Sequence, residues 1–341
     1  VMEPGIAISS DPNFKNWYNP IDIEPGNSYW ARYKKYLSSD LLFPEKVIQS
    51  IDISTTDIVN LLGEPVENGI FARKGLVIGD VQSGKTANYI SVINKAADAG
   101  YKVIVLLTGT IEKLRQQTQA RIDEGFIGID TSDLERERRN NPIGVGLING
   151  GISVSSFTSI IKDFNKSVLT NSNVPLDSLS IPLILVVKKN KAVLNSIYKL
   201  FNGEKKDQTY NKINQSLLFI DDEADNASIN TNSQDNDPTA INKSIRRILG
   251  LFMRSSYVGY TATPYANVFI EPSTKEDMEN EDLFPKDYIY VLQPPSNYIG
   301  AREIYSEDGQ YKSMYRMIDD FEDFLPLKHK KDYQLPLDIP L

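Results

Sequence analysis

Gly79-Asp80-Val81-Gln82-Ser83-Gly84-Lys85-Thr86 satisfies the phosphate-binding pattern G-x-x-x-x-G-K-[ST] at every fixed position. The apolar run Gly75-Leu76-Val77-Ile78 precedes it and reads as a buried strand. Residues 87–99 follow with apolar side chains at Ile90, Ile93, Ala96 and Ala97, a helical spacing. A strand, a glycine loop and a helix in that order are what the chemistry needs. Glycines let the backbone curl so that successive N–H groups point at phosphate oxygens. Lys85 reaches the β and γ phosphates, and the Thr86 hydroxyl helps hold Mg²⁺. The stretch predicts binding of ATP with Mg²⁺, with Gly79, Gln82, Ser83, Gly84, Lys85, Thr86 and Ala87 as the nucleotide-binding residues.

A second motif follows where a nucleotide hydrolase requires one. Ser216-Leu217-Leu218-Phe219-Ile220 reads as a buried parallel strand and runs into Asp221-Asp222-Glu223-Ala224-Asp225. Carboxylates at the carboxyl end of such a strand face the bound phosphates, so Asp222 is assigned to the metal and Glu223 to the attacking water. Taken alone, consecutive acids also describe a solvated strand end; the loop upstream decides between the two readings. The third motif is Tyr257-Val258-Gly259-Tyr260-Thr261-Ala262-Thr263-Pro264, a strand ending in hydroxyl residues and a proline. Thr261 and Thr263 are candidates for sensing the γ phosphate and relaying its loss to a nucleic-acid site. Local chemistry by itself favours the simpler role of capping a loop before Pro264.

The order phosphate loop, D-E-A-D, T-A-T-P resembles the first motor lobe of superfamily II helicases and translocases. More closely, GDVQSGKTANYISVINKAADAGYKVIVLLTGT (residues 79–110), LRQQTQARIDEGFIG (114–128), IDDEADNASIN (220–230) and GYTATPYANVFI (259–270) resemble the Z-one family. Those large proteins, commonly described as endonucleases, join such a motor to a Z-one domain and occur in bacterial restriction-modification-like operons beside DNA methylases, nucleases and MORC-type ATPases. The resemblance covers roughly residues 60 to 300. It implies a RecA-like P-loop lobe that uses ATP and Mg²⁺, acts on DNA, and couples hydrolysis through Thr261, Ala262, Thr263 and Pro264. It also implies a first strand-contacting loop and helix at Thr108 to Thr110 and Leu114 to Gln119. The implied partners are a second motor lobe, a Z-one domain of the same full-length chain, and a methylase, nuclease or MORC-type ATPase of a restriction or phage-defence system. No second-lobe or Z-one motif follows Pro264. Together with the initial Val1, this leads us to expect an amino-terminal fragment whose turnover, without the arginine finger of a second lobe, is slow.

Composition narrows the alternatives. With 341 residues, 40% hydrophobic and 24% charged, the chain has ordinary globular make-up. It has no cysteine and one histidine, His329, which excludes disulfides, thiolate sites and a histidine zinc cluster within it. No signal-peptide pattern and no apolar run near the ~18 residues of a membrane span is present, so no membrane contact and a cytoplasmic location are expected. A formal net charge of −8 argues against general nucleic-acid binding and leaves room only for a local basic surface. Candidates for that surface are Arg115 and Arg121, Lys188 to Lys191, Lys205 and Lys206, and Arg246, Arg247 and Arg254, each of which alone reads as a solvated charge. A switch or scaffold that binds ATP to assemble a nuclease complex is the alternative to a motor. A nuclease within this chain is the weaker third reading, because the phosphate loop already accounts for the acids.

Residues 1–65 are expected to be a largely helical amino-terminal extension, residues 66–300 the ATPase lobe, and residues 301–341 a connector. Trp17, Tyr18, Tyr29, Trp30, Tyr33 and Tyr36 read as packing anchors, with helices over 28–37 and over 55–62, the latter starting at Thr55-Thr56-Asp57. Strands are expected at 75–79, 102–108, 144–149, 182–188, 216–221, 257–261 and 288–292. Helices are expected at 85–99, 111–122, 152–164, 190–202 and 239–253. This alternation predicts an α/β fold, a mostly parallel sheet with helices on both faces. The strand of Tyr257 should lie between the phosphate-loop strand and the Asp222 strand. The polar tract 226–238 reads as a loop, and position alone nominates Phe71 and Arg73 for adenine recognition.

Overall fold

In a computed structural model of the chain, the described residues are 5–9, 14–20, 27–66, 69–79, 84–132, 141–149, 151–164, 176–204, 206–225, 238–264, 283, 285–293 and 304–314. The chain divides into two compact units, Val1–Pro294 and Pro295–Leu341. In the second unit, the described residues include a 3₁₀ turn at Lys312–Met314.

The first unit is built on one sheet. Its strands are β1 (Ile6–Ser9), β2 (Phe71–Ile78), β3 (Val103–Thr108), β4 (Ser155–Ser156), β5 (Leu183–Lys188), β6 (Ile213–Asp222), β7 (Phe252–Thr261) and β8 (Tyr288–Val291). Their spatial order is β1-β8-β2-β7-β6-β3-β5-β4. Every pairing is parallel except that of β1 with β8. The strand after the phosphate loop's helix is therefore not a neighbour of the loop strand. β7 lies between β2 and β6, as the motif order predicts, and this is the RecA-like α/β arrangement.

The helices are α1 (Tyr29–Ser39), α2 (Glu45–Leu61), α3 (Lys85–Asp98), α4 (Glu112–Ile122), the single turn α5 (Val145–Ile148), α6 (Lys191–Asn202) and α7 (Pro238–Leu249). Alternate strand side chains feed two separate cores. Ile104, Leu106, Ile184, Val186, Leu218 and Ile220 pack with the apolar faces of α1, α2 and α3. Val103, Val105, Leu183, Leu185, Leu217 and Phe219 pack with Leu194, Ile197 and Phe201 of α6 and Ile241, Ile245 and Ile248 of α7. The period of two along each strand puts successive residues on opposite faces, so near-continuous apolar strands need helices on both. Among the described residues no helix is long and apolar enough to cross a membrane.

The aromatic-rich start of the chain joins the first of these cores: Trp30, Tyr33 and Tyr36 are buried there. Asp98, at the end of α3, accepts the backbone N–H groups of Tyr29 (2.7 Å) and Trp30 (2.9 Å), capping α1 from the phosphate-loop helix. Lys95 of α3, wholly buried, donates to the Asp52 carboxylate (2.7 Å) and to Thr56 Oγ1 (2.7 Å) of α2.

Four expectations fail, each for a local reason. Residues 144–149 are not a strand; Gly144, at φ 48°, starts the turn α5. Residues 152–164 are not a helix. There Ser156 Oγ donates to Thr158 O, and the N–H groups of Thr158 and Lys162 donate to the Ser156 and Ser159 hydroxyls, local bonds that compete with helical ones. Thr55-Thr56-Asp57 lies inside α2 rather than at its start, with Thr55 Oγ1 bonded back to Ile51 O at 2.6 Å. The helix expected to reach residue 253 ends at Leu249, and β7 begins at Phe252. Residues 226–237 of the polar tract lie outside the described residues.

Candidate functional site

Parallel order brings three strand ends to one edge. At the end of β2, the Gly79 N–H donates to Thr261 O at 3.0 Å, so the phosphate loop leaves the sheet tied to the third motif. Gln82 and Ser83, with Asp80 and Val81, lie outside the described residues. Gly84 has φ 76°, a left-handed conformation that glycine adopts without penalty, and open space where a Cβ would stand. It caps α3, whose first-turn N–H groups face the cleft with the positive end of the helix dipole. Lys85 Nζ donates to Gly79 O at 2.8 Å, and Ala87 O accepts from Ser91 Oγ at 2.7 Å. Thr86 Oγ1 accepts from Arg121 Nη1 at 3.3 Å.

The acid run leaves β6 beside it. Asp221 is buried, its Oδ2 accepting from the Tyr257 hydroxyl at 3.0 Å. Asp222 Oδ1 accepts the Glu223 N–H at 3.1 Å. Burial above all, then the charges of Glu223 and Asp221, push the Asp222 carboxyl up to about 6, against the pull of Lys85. Such a carboxylate is short of positive charge, and an arriving cation would relieve it. Among the described residues no group of three or more His, Cys, Asp or Glu could hold a metal. A cation bound by Asp222 and Thr86 would therefore draw its other ligands from water and phosphate, the mode in which Mg²⁺ is usually held. The donor set fits that ion.

Glu223 takes φ 59°, uncommon for a residue with a Cβ, and this turns the chain at the strand end. Its carboxylate lies over Gly109: a Cβ on that glycine would come 2.8 Å from Glu223 Oε2. Thr261 Oγ1 accepts the Thr263 N–H at 2.9 Å, and the Thr263 hydroxyl is hydrogen-bonded to the Asp225 carboxylate. The third motif and the acid run are thus joined side chain to side chain. Residues of all three motifs border one cavity of about 440 Å³, lined by Lys85, Thr86, Arg121, Asp222, Glu223, Asp225, Thr261 and Ala262 among others, with Thr263 joined to it through Asp225.

The basic candidates separate. Arg121 lines the cavity. Arg115 does not: it is wholly buried, pairs with Glu112 at 2.7 Å, and donates to Ser159 O (3.0 Å) and Ile160 O (2.9 Å), so it staples β5's flank and presents no charge to a ligand. On the same segments Thr108, Gly109, Leu114, Gln117 and Thr118 line the cleft, while Gln119 is buried and hydrogen-bonded to Asp123. Lys188 pairs with Glu112 at 3.2 Å. Arg254 bonds Asn214 at the far end of β7, Arg247 lies over Tyr198, Lys206 bonds Asn202, and Lys205 is outside the described residues.

Phe71 and Arg73 are also corrected. They open β2, which runs away from them toward the loop, so at about 3.3 Å per residue they stand roughly 15–25 Å from the phosphate site. Arg73 is spent on Leu61 O and the Phe14 ring.

Lys189 belongs to the basic run Lys188 to Lys191, which follows the apolar run Leu183 to Val187 and so reads as projecting from the sheet edge that carries the three motifs. It is 1% exposed and sits directly behind the acid run. One signal was available: Asp221 is a carboxylate at a buried strand position, level with Leu107 and Gly259, and needs a cation from elsewhere.

No protein-family model and no curated protein matches the chain. Among solved structures it is similar to an S. cerevisiae Dbp5 variant bound to Nup159, a Gle1 variant, IP6 and ADP (16% identity, 76% of this chain, 52% of that one, TM-score 0.39). It is similar also to the Sulfolobus solfataricus SWI2/SNF2 ATPase core in complex with dsDNA (16% identity, 71% and 34%, TM-score 0.32). A third is the ATP-dependent Type ISP restriction-modification enzyme LlaBIII bound to DNA (14% identity, 84% and 15%, TM-score 0.35). The chain spans about half the length of the first of these and less of the other two.

Proposed function

We propose that the chain is the ATP-binding and ATP-hydrolysing first lobe of a superfamily II-type motor acting on DNA. The observation that carries this reading is the convergence of Lys85 and Thr86, Asp222 and Glu223, and Thr261 and Ala262 on a single cleft, with the Thr263–Asp225 hydrogen bond linking two of the three motifs. Lys85 would exchange Gly79 O for phosphate oxygens, together with the first-turn N–H groups of α3. Thr86 and Asp222 would hold Mg²⁺, which when bound neutralises charge developing on the phosphates. Glu223 would orient water for attack on the γ phosphorus as the bond to the bridging oxygen breaks, giving ADP and inorganic phosphate. Loss of that phosphate would be felt at Thr261 and Thr263.

Resemblance alone supports the finer parts: residues 66–300 as the lobe with 1–65 as an extension and 301–341 as a connector, a second lobe and Z-one domain in a longer protein, a cytoplasmic setting, and a restriction or phage-defence role with a methylase, nuclease or MORC-type partner. One observation favours the switch reading instead. Of the basic candidates among the described residues, Arg121 alone lines the nucleotide cleft, so a DNA-facing surface near the site is thin.

Calorimetry with ATP and Mg²⁺, with and without duplex DNA, tests both. Binding that Lys85→Ala removes and DNA alters supports the motor; binding indifferent to DNA supports the switch. Glu223→Gln should bind nucleotide normally and fail to hydrolyse it, and normal turnover by this variant would move the water-orienting role to another residue.

A further inference from the structure

We infer that Lys189 is a positioning residue that holds the Glu223 backbone in its left-handed turn, and thereby aims the water-orienting carboxylate; the inference rests on the hydrolase reading above. Lys189 follows β5, two strands away from β6, yet its ammonium group reaches behind the acid run. Nζ donates to Glu223 O at 2.8 Å and stands 2.8 Å from Asp221 Oδ1. The side chains of Lys189 and Asp221 are 1% and 4% exposed, so neither charge is shared with water. Asp221 is held in turn by the Tyr257 hydroxyl on β7.

The geometry explains why a charge should be buried here. Glu223 must leave the line of β6 at once if its side chain is to turn over Gly109 into the cleft, and φ 59° does this. That turn takes the Glu223 carbonyl out of the sheet ladder to a part-buried place beside the Lys189 ammonium. Lys189 supplies the donor. Asp221 supplies the countercharge that makes a buried ammonium tolerable, and Tyr257 fixes the orientation of Asp221.

The competing explanation is that Lys189 merely neutralises Asp221. The two separate in the full chain by comparing Asp221→Asn, Lys189→Met and the double variant Lys189→Met/Asp221→Asn. Thermal melting, nucleotide affinity from a fluorescent ATP analogue, and single-turnover hydrolysis are read for each. Asn keeps an acceptor for Tyr257, and the double variant contains no buried charge, so it folds even if Lys189→Met does not. Positioning predicts that Asp221→Asn, which strips Lys189 of its countercharge, melts below wild type yet retains turnover per folded molecule, because Lys189 Nζ still donates to Glu223 O. It predicts that the double variant melts close to wild type, keeps its nucleotide affinity, and loses turnover on the order of 10²-fold, the scale of a displaced catalytic group. Wild-type turnover in the double variant would overturn the inference and leave the pair as simple charge compensation. An equal loss in Asp221→Asn would overturn it too, assigning the effect to the carboxylate. A wild-type chain that binds no nucleotide would refute the hydrolase reading itself, an outcome recognised before any variant is compared.

Discussion

Replacing Asp222 by asparagine should stabilise the nucleotide-free protein while removing the Mg²⁺-dependent hydrolysis proposed for it. The carboxyl is pushed from 3.8 to about 6, first by burial and then by the negative charges of Glu223 and Asp221. At 1.36 kcal/mol per unit, ionised Asp222 costs the folded state about 3 kcal/mol, or roughly 1.5–3 kcal/mol after solvent screening in a cleft that leaves it partly exposed. The sign follows from proton uptake. Between pH 3.8 and about 6 the folded chain binds more protons at this site than the unfolded chain, so stability falls as pH rises through that window. The penalty is complete above pH 6 and absent below 3.8. Asparagine keeps an Oδ1 acceptor for the Glu223 N–H and carries no charge. Urea unfolding in chelator should therefore show the variant more stable by roughly 1.5–3 kcal/mol at pH 8 and by about half as much at pH 5. Adding Mg²⁺ and nucleotide should stabilise wild type alone and close the gap, by about 2.7 kcal/mol at a hundredfold excess over Kd. A variant no more stable than wild type at pH 8, or a difference that ignores pH, would refute the reasoning.

Other outcomes follow from single contacts. Gly109→Ala sets a Cβ against Glu223 Oε2, so turnover should fall about tenfold with nucleotide affinity unchanged; undiminished single-turnover hydrolysis would show that Glu223 does not act from this position. Arg115→Met leaves the Ser159 and Ile160 carbonyls without this donor while Glu112 keeps Lys188, and at roughly 1–3 kcal/mol per orphaned acceptor should cost about 2–4 kcal/mol in denaturant unfolding, with DNA affinity per folded molecule untouched. Arg121→Gln, on an exposed side chain, should leave stability within about 0.5 kcal/mol and weaken ATP binding about tenfold by calorimetry. Weakened DNA binding with normal ATP binding would assign Arg121 to the polynucleotide instead.

The amino-acid sequence by itself determined the elements whose signals are local. The glycine spacing before Lys85, the apolar runs of β2, β3, β5, β6 and β7, and the helical periods of α3, α4 and α6 are each written within about fifteen neighbouring residues. Because a parallel sheet aligns its strand ends, knowing that Gly79, Asp222 and Thr261 terminate strands was enough to expect them at one edge. At 144–149 and 152–164 one glycine at positive φ and a series of serine and threonine hydroxyls outweigh the apolar spacing that predicts a strand and a helix.

What only the tertiary structure decided is the fate of the charges. Arg115, Arg121 and Lys189 look alike along the chain, yet one is a buried staple, one lines the cavity between the three motifs, and one stands behind Glu223. A charge's role depends on which opposite charge and which unpaired carbonyl lie within about 3 Å, and on whether water reaches them. Those partners come from Asp221, Ser159, Ile160 and Glu223, dozens of residues away in most cases, and become neighbours only when the sheet orders its strands.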